Sequence, residues 1–444
     1  MANIQLSTRQ IGGGIVILAG VGMLLSAFLI NPWVAKITRG AAAVDYADVL
    51  RSYFFWALSL GAITIALGRK VSRGKSGADG LSVFFLLIAM FLLGDRWLLT
   101  RFGLTIWEYD PDLHYVHRPG AVRTLTASGR PDDLVHINEH GFHDTEFPRE
   151  KPAGELRGLM LGDSVTMGYG VTYEETFSKL LEDKLAAGDT KQGQHQIINA
   201  GVHGYSTYQE RVTLERNLDL SPDFVAVGFC MNDVTEPFVV NTDYGGTGLD
   251  YHGVTQTPNP VSGFLANETG FGRLMQKLSQ AGKSVDAAKR LEIFNTHKMA
   301  LESRTNPEFQ EGWKIVLDEM TKLYDVAKAN ELPVVLLIFP YTYQLSDPNA
   351  LAPQELLIEH AKANGVDYID FTPIFTEAIF QEKEIVELLK AQGKGPDEQL
   401  KFFAWRIAEY FFDEDHFREP GHALVADALY GWLQQRGLIE AGTH

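Results

Sequence analysis

Five short apolar runs, each followed by a longer amphipathic stretch, most restrict the fold of this chain. They lie at residues 156–162, 195–202, 223–230, 333–340 and 366–371. Runs of this length and composition predict buried strands, and the stretches between them have helical periodicity. Strands that alternate with helices indicate an α/β fold with a parallel five-stranded sheet covered on both faces. In such a sheet, ligand-binding groups gather at the carboxyl ends of the strands.

A candidate nucleophile follows the first of these strands. The run ends in LMLGDSVTMGYG, residues 159–170, where Gly-Asp-Ser leads into a glycine-rich stretch. Ser164 is either a turn residue or a nucleophile, and the motif alone does not decide between the two. A serine that cleaves esters needs a base, a group that orients the base, and donors for the oxyanion. The role of Ser164 therefore depends on whether the rest of the chain supplies a base, an orienting group and oxyanion donors.

A candidate base and its orienting group lie near the carboxyl end of the chain. In the stretch FFDEDHFREPGH, Asp413 precedes His416 by three residues, so both side chains can project from one turn. Asp413 would fix the tautomer of the imidazole, and His416 would serve first as base and then as acid. His422, in the same stretch, is predicted to lie on the surface of the helix that follows.

Candidate oxyanion donors follow the second and third predicted strands. Gly204 can present its backbone N–H, because glycine allows a substrate to approach closely. Asn232 can donate through its side-chain amide, and the Ser164 N–H adds a third donor. His203 is a possible pocket residue, with a solvated loop position as the alternative.

These motifs together resemble a known family. The order Gly-Asp-Ser, Asn-x-Gly-x-x-Gly-Tyr-Ser, Asn-Asp and Asp-x-x-His is similar to that of the SGNH (GDSL-type) hydrolase superfamily of esterases and lipases, over roughly residues 157–436. The resemblance implies a flavodoxin-like three-layer sandwich. It also implies that Ser164 is the nucleophile and that Gly204 and Asn232 are oxyanion donors. Asp413 and His416 would complete the triad.

Two positions depart from the pattern of that family. Val165 replaces the usual leucine, and Cys230 stands where the block around Asn232 usually has glycine. Cys230 lies in an apolar run and is predicted to be buried, and as a lone cysteine it excludes an intrachain disulfide. Asp163 is predicted to tie down the turn that carries the nucleophile.

The charge of the chain excludes one class of partner. A formal net charge of -17 argues against nucleic acid, whose phosphates need clustered Lys and Arg. Acyl-serine chemistry of the kind proposed for Ser164 needs no metal and no organic cofactor. The expected partners are an acylated glycan or lipid as substrate, the lipid bilayer and a possible membrane-protein partner.

The first hundred residues hold nearly all the long apolar runs. Segment 11–34 has no charge and reaches the roughly 20 residues that a spanning helix needs. Segments 53–68 and 81–99 are predicted as second and third transmembrane helices. The basic loop between them, GRKVSRGKSGADG, is predicted to be cytoplasmic. Three crossings then place the large domain in the periplasm or another extracytoplasmic space, whereas an interfacial third segment would place it in the cytoplasm.

The sequence predicts three parts. Residues 1–102 form a membrane domain, residues 103–155 a β-rich lead-in segment packed on the catalytic domain, and residues 156–444 the hydrolase-like domain. Insertions at 238–305 and 377–412 interrupt the last part. They are read either as lids and partner surfaces or as surface decoration.

Three functions fit this organisation. The first is a membrane-anchored serine esterase that hydrolyses O-acyl esters, expected to be acetyl esters, of an envelope glycan or lipid through an acyl-serine intermediate. The second uses the same triad to transfer the acyl group to a polysaccharide. The third is a non-catalytic scaffold subunit of a membrane protein complex.

Overall fold

The structure is a computed structural model. It describes residues 8–29, 47–73, 88, 90–99, 106–124, 134–188, 194–234, 260–272, 274–275, 296–380 and 396–440. The chain divides into two compact units. One comprises Met1–Leu104 with Gly253–Lys289, and the other comprises Thr105–His252 with Arg290–His444.

The described strands and helices are numbered in chain order. The strands are β1 Trp107–Asp110, β2 His114–His117, β3 Val122–Thr124, β4 Leu134–His136, β5 Glu155–Gly162, β6 Gln194–Asn199, β7 Phe224–Phe229, β8 Val334–Ile338 and β9 Asp367–Asp370. The helices are α1 Thr8–Leu29, α2 Ala47–Ser72, α3 Ser164–Met167, α4 Phe177–Gly188, α5 Thr207–Arg216, α6 Pro260–Asn267, α7 Pro307–Ala329, α8 Ala352–Asn364, α9 Phe371–Phe380, α10 Pro396–Tyr410 and α11 Glu419–Gln435.

In the first unit, α1 and α2 pack with their backbones in close approach. A Cβ atom added to Gly20 would lie 2.9 Å from the Gly61 carbonyl oxygen, and one added to Gly68 would lie 2.9 Å from the Gly13 carbonyl oxygen. Since the early part of α1 meets the late part of α2, the two helices run antiparallel. Any larger residue at these positions would push the helices apart.

The membrane spans predicted at 11–34, 53–68 and 81–99 fall only partly on described residues. The first two coincide with α1 and α2, whereas residues 30–34, 81–87 and 89 lie outside the described residues. A span needs roughly 20 apolar residues in one helix. Within the part of the chain that the structure describes, no helix is long and apolar enough to cross a membrane.

The second unit is built on a parallel sheet of five strands, as the sequence predicts. The strands lie in the order β6-β5-β7-β8-β9, and each neighbouring pair is parallel. In sequence terms this is the order 2-1-3-4-5 of flavodoxin-like sheets. Every residue of β7 and β8 is buried, because a parallel sheet is covered on both faces. This burial explains why β7 and β8 are continuous apolar runs in the sequence.

Helices connect successive strands and pack in pairs. Helix α4 packs against α11, and α5 packs against α7. Helix α7 turns its apolar stripe inward, with Trp313, Val316, Met320 and Leu323 all buried in the core of the sheet. The 3.6-residue periodicity of such a stripe is what holds an amphipathic helix on a sheet face.

The described part of the lead-in segment contains four short strands. Strands β1 and β2 form one antiparallel pair, and β3 and β4 form another. Within the two predicted insertions the structure describes residues 260–272, 274–275, 296–305, 377–380 and 396–412, which include α6 and α10, and the other residues of the insertions lie outside the described residues.

A buried arginine fastens the end of the lead-in to the first strand of the sheet. Arg157, in β5, is fully buried and pairs with Glu155, whose side chain is 6% exposed. Its guanidinium also donates to the backbone carbonyls of Pro148, Arg149 and Leu220. All these acceptors are needed, because a buried charge without partners is costly.

We expect Arg157→Met to lower the free energy of unfolding by about 3–5 kcal/mol, because it leaves the Glu155 carboxylate buried without its counter-charge. The measurement is urea denaturation followed by tryptophan fluorescence. Arg149→Met is the matched control: its ion pair with Asp219 is largely exposed, with side chains 42% and 57% accessible, so we expect a loss of about 1 kcal/mol or less. Equal losses in the two variants would contradict the prediction.

Candidate active site

The turn after β5 presents Ser164 at the carboxyl end of a central strand. Asp163 caps the short helix α3, since its Oδ1 accepts a hydrogen bond from the Val165 N–H at 2.9 Å. The carbonyl of Ser164 accepts the N–H groups of Gly168 and Tyr169, which closes the turn. The serine therefore sits in a rigid strand–turn–helix element beside the point where the strand order reverses. Ligands of doubly wound sheets bind at this point.

Three predicted site residues meet in one hydrogen-bonded chain. The Nε2 atom of His416 lies 2.7 Å from Ser164 Oγ, and its Nδ1 lies 2.8 Å from Asp413 Oδ1. A carboxylate oxygen only accepts, so Nδ1 carries the proton and Nε2 is left to accept the serine O–H. This is the geometry that a base needs in order to deprotonate a serine.

A second carboxylate, which the sequence analysis did not assign, also reaches the imidazole. Asp415 Oδ1 lies 3.2 Å from His416 Nδ1, and the Asp415 side chain is 11% exposed. The sequence shows this aspartate directly before the histidine. The Asp-x-x-His spacing instead predicts Asp413 as the carboxylate that orients the histidine.

The two carboxylates control the protonation of the histidine. Burial by itself lowers the pKa of His416, but the charges and hydrogen bonds of Asp415 and Asp413 outweigh it and hold the pKa well above 6.5. The site therefore stabilises the imidazolium form, which is the form a base reaches after it takes a proton.

The loop after β6 lies against the nucleophile turn and carries Gly204. The Val202 N–H donates to the Gly162 carbonyl at 3.0 Å, which joins the two loops. Gly204 has φ +78, in the left-handed region that glycine adopts readily. Gly201 approaches the helix so closely that an added Cβ would lie 2.3 Å from Met167 N. The loop has no room for a side chain at this contact.

Asn232 follows β7 and points at the same turn. It is buried, and its Nδ2 donates to Asp163 Oδ2 at 3.1 Å. This hydrogen bond orients the Asn232 side-chain amide beside the nucleophile turn. Burial raises the pKa of Asp163 to about 6, against the opposing hydrogen bonds from Val165 and Asn232.

Aromatic rings border the imidazole. Tyr169 lies 4.8 Å from the His416 ring, between centroids, and packs edge-on against His203 at 5.2 Å and Phe412 at 6.1 Å. The His203 ring is 6.3 Å from that of His416. His203 therefore borders the site, and Tyr169 and Phe412 are neighbours that the sequence analysis did not single out.

The lead-in segment supports the loop that carries Gly204. The Tyr115 hydroxyl donates to the His203 carbonyl at 3.0 Å, and the Tyr205 hydroxyl donates to the Tyr115 carbonyl at 2.8 Å. Tyr115 is fully buried. Strand β2 thus braces a wall of the site, a contact for which the lead-in sequence gave no signal.

The prediction for His422 is wrong, and that for Cys230 is confirmed. His422 is fully buried rather than on the helix surface, because its Nδ1 accepts the Phe177 N–H and its ring stacks on the Phe177 ring. This burial lowers the pKa of His422 to about 3. Cys230 is buried as a free thiol.

One group in the described residues has the composition of a metal site. Asp413, Asp415 and His416 bring ligand atoms within 4.8 Å of one another. The same atoms hold the imidazole against Ser164, so the hydrogen-bonded chain described above already uses them.

Residues 160–388, just over half of the chain, match the model of the GDSL-like Lipase/Acylhydrolase family. This match includes Ser164, Gly204 and Asn232 and ends before Asp413 and His416. No curated protein matches the chain.

Solved structures give weak overall similarity. They include the acetyl xylan esterase AlAXEase (14% identity, 63% of this chain, 100% of its own, TM-score 0.35). They also include the psychrotrophic esterase EstA from Pseudoalteromonas sp. (15% identity, 64% of this chain, 98% of its own, TM-score 0.33). A third is a lipase/acylhydrolase from Enterococcus faecalis (14% identity, 63% of this chain, 96% of its own, TM-score 0.32). Because these scores are low, the fold assignment rests on the strand order and the family match.

We expect Gly201→Ala to slow the reaction of Ser164 with a fluorophosphonate by about 100-fold. The added methyl group would collide with the backbone of α3 and displace the serine from His416. The measurement is the labelling rate followed by mass spectrometry. Gly431→Ala is the control, since a Cβ there meets nothing within 4 Å. Equal labelling rates in wild type and Gly201→Ala would refute the close contact.

Proposed function

Because the chain belongs to the GDSL-like lipase/acylhydrolase family of ester hydrolases, we propose that it cleaves an O-acyl ester through an acyl-serine intermediate. The observation that carries the proposal is the contact chain from Ser164 Oγ through His416 to Asp413, at 2.7 and 2.8 Å. A serine in this arrangement is activated as the substrate carbonyl arrives.

The proposed acylation step uses each group once. Ser164 Oγ attacks the ester carbonyl carbon while His416 Nε2 takes its proton. The carbonyl oxygen becomes an oxyanion, and in this proposal the Ser164 N–H, the Gly204 N–H and the Asn232 amide bind it. The C–O bond to the alcohol then breaks, and His416 returns the proton to the leaving oxygen.

Deacylation repeats the cycle with water. His416 takes a proton from a water molecule, the resulting hydroxide attacks the acyl carbon, and the proton returns to Ser164 Oγ as the free acid leaves. Throughout, the carboxylates at Nδ1 stabilise the imidazolium that forms in each half of the reaction.

We infer that the substrate is a short-chain acyl ester, in particular an acetyl ester, of a glycan. Ser164 is only 3% exposed, which favours a small acyl group at the nucleophile. The half-buried rings of Tyr169 and His203 beside the imidazole are suited to pack against the flat face of a sugar. Membrane attachment, an extracytoplasmic location and a lipid substrate stay predictions from the sequence.

We expect Ser164→Ala and His416→Ala each to lower kcat for p-nitrophenyl acetate by about 10³-fold or more, because each removes a member of a unit that acts together. The measurement is release of p-nitrophenol by the full chain. Ser346→Ala, at an exposed serine of the same unit, is the control and should match wild type. Urea midpoints verify that the variants are folded.

Folded wild type that neither hydrolyses the ester nor reacts with a fluorophosphonate at Ser164 would refute the proposal and favour the scaffold alternative. Acyl transfer is distinguished in the same assay by adding a soluble glycan. An esterase releases the free acid, whereas a transferase places the acyl group on the glycan as a new ester.

We expect kcat/KM to rise with pH through an ionisation above 6.5. His416 must be neutral to take the serine proton. The carboxylates of Asp415 and Asp413 raise the pKa of His416 above its ordinary value of 6.5, so the imidazole stays protonated to a higher pH. Below that pKa the base is already protonated, so activity is lost as the pH falls. The measurement is a pH profile of kcat/KM with an ester whose hydrolysis is followed at constant ionic strength. An acid limb centred at or below 6.5 would contradict the expectation.

A further inference from the structure

The imidazole of His416 faces two carboxylates where one would suffice to fix its tautomer. Asp413 Oδ1 lies 2.8 Å from Nδ1, and Asp415 Oδ1 lies 3.2 Å from the same atom. Asp415 is 8% exposed overall, so its charge is largely withdrawn from water. A carboxylate is buried in this way only when a counter-charge or hydrogen bonds compensate it.

Asp413 accepts hydrogen bonds from the backbone of its own loop as well as from the imidazole ring. Its Oδ1 accepts the backbone N–H of Asp415 at 3.3 Å and that of His416 at 3.1 Å, in addition to the imidazole N–H. Three donors therefore share one oxygen with two lone pairs. The Asp415 Oδ1 atom lies at ion-pair distance, 3.2 Å, from the same Nδ1 and brings a second negative charge to this side of the ring.

We propose that Asp415 is a second positioning residue for His416. Asp415 shares the proton on His416 Nδ1 with Asp413 and holds that proton when the Asp413 carboxylate is absent. The inference rests on the proposed function, since it concerns the base of that reaction. In this arrangement Asp413 shapes the turn and selects the tautomer. Asp415 adds negative charge where the imidazolium develops.

The charges around the ring support this division of roles. Both aspartates lie on the loop before α11, on the Nδ1 side of the imidazole, whereas Ser164 lies on the Nε2 side. Among the residues that the structure describes, the other titratable groups whose rings or charges reach His416 are Asp163, Tyr169, His203 and His422. Of these, Asp163 favours the imidazolium, and it belongs to the nucleophile turn rather than to the histidine loop.

The kinetic test is a double-mutant cycle of Asp413→Asn and Asp415→Asn with p-nitrophenyl acetate. We expect each single variant to lose about 10-fold in kcat, since the other carboxylate still holds the Nδ1 proton. The double variant should lose about 10³–10⁴-fold, the scale of removing the orienting carboxylate of a triad. A double variant no slower than Asp413→Asn alone would overturn the proposal.

A titration that needs no turnover gives the second test. In the Ser164→Ala background, NMR of the His416 ring should show its pKa lowered by about one unit or more in Asp415→Asn, the scale of losing a neighbouring opposite charge. Glu419→Gln removes a carboxylate from an exposed position nearby and should leave the titration unchanged. An unchanged titration in Asp415→Asn would overturn the proposal.

These tests separate the proposal from the esterase assignment. If wild type proves inactive on esters, the assignment fails, and the titration still decides whether Asp415 acts on His416. If Asp415→Asn does not fold, as judged by its urea midpoint, Asp415→Ser removes the same charge with a smaller side chain. The expected titration shift is the same.

Discussion

A single contact between two distant parts of the chain organises the site. Ser164 Oγ and His416 Nε2 are 2.7 Å apart although 252 residues separate them in sequence. The serine is held by the turn after the central strand β5, and the histidine by a loop that precedes the last helix. The sheet and the packing of α11 on α4 therefore have to be correct before the two atoms can meet, because a displacement of about 1 Å already weakens a positioned catalytic pair.

Asp163 links this contact to the neighbouring strand. One of its oxygens caps the nucleophile helix, and the other holds the Asn232 amide that follows β7. A fully buried carboxylate is expensive, and its raised pKa reflects that cost. The two hydrogen bonds offset part of the penalty and in return fix the nucleophile and a candidate oxyanion donor relative to each other.

The sequence predicted the sheet and much of the site because both depend on local patterns. The run that became β7 is apolar throughout, and the run that became β5 is apolar after Arg157, as burial on both faces requires, so their position could be read within one or two residues. The Asp-x-x-His spacing likewise placed Asp413 beside His416, since both belong to one turn. Strand ends, which a parallel sheet aligns along one edge, brought Ser164 and Asn232 together.

What the sequence did not reveal depends on side-chain direction and on distant contacts. Spacing could not show that Asp415 turns toward Nδ1, or that His422 in the first turn of α11 faces Phe177 rather than solvent. The role of Tyr115 was hidden for the same reason, since its hydroxyl reaches a carbonyl 88 residues away.

The contact of Tyr115 changes how the region before the sheet should be understood. Its hydroxyl and that of Tyr205 tie strand β2 to both sides of Gly204 through hydrogen bonds to and from the backbone. An oxyanion donor is useful only if its N–H is fixed before the substrate charge develops, because reorientation during the reaction costs free energy. Gly204 itself has no side chain that could anchor its backbone by packing. The lead-in segment therefore holds this loop from outside the sheet, and the residues that shape the site extend beyond the sheet that carries its motifs.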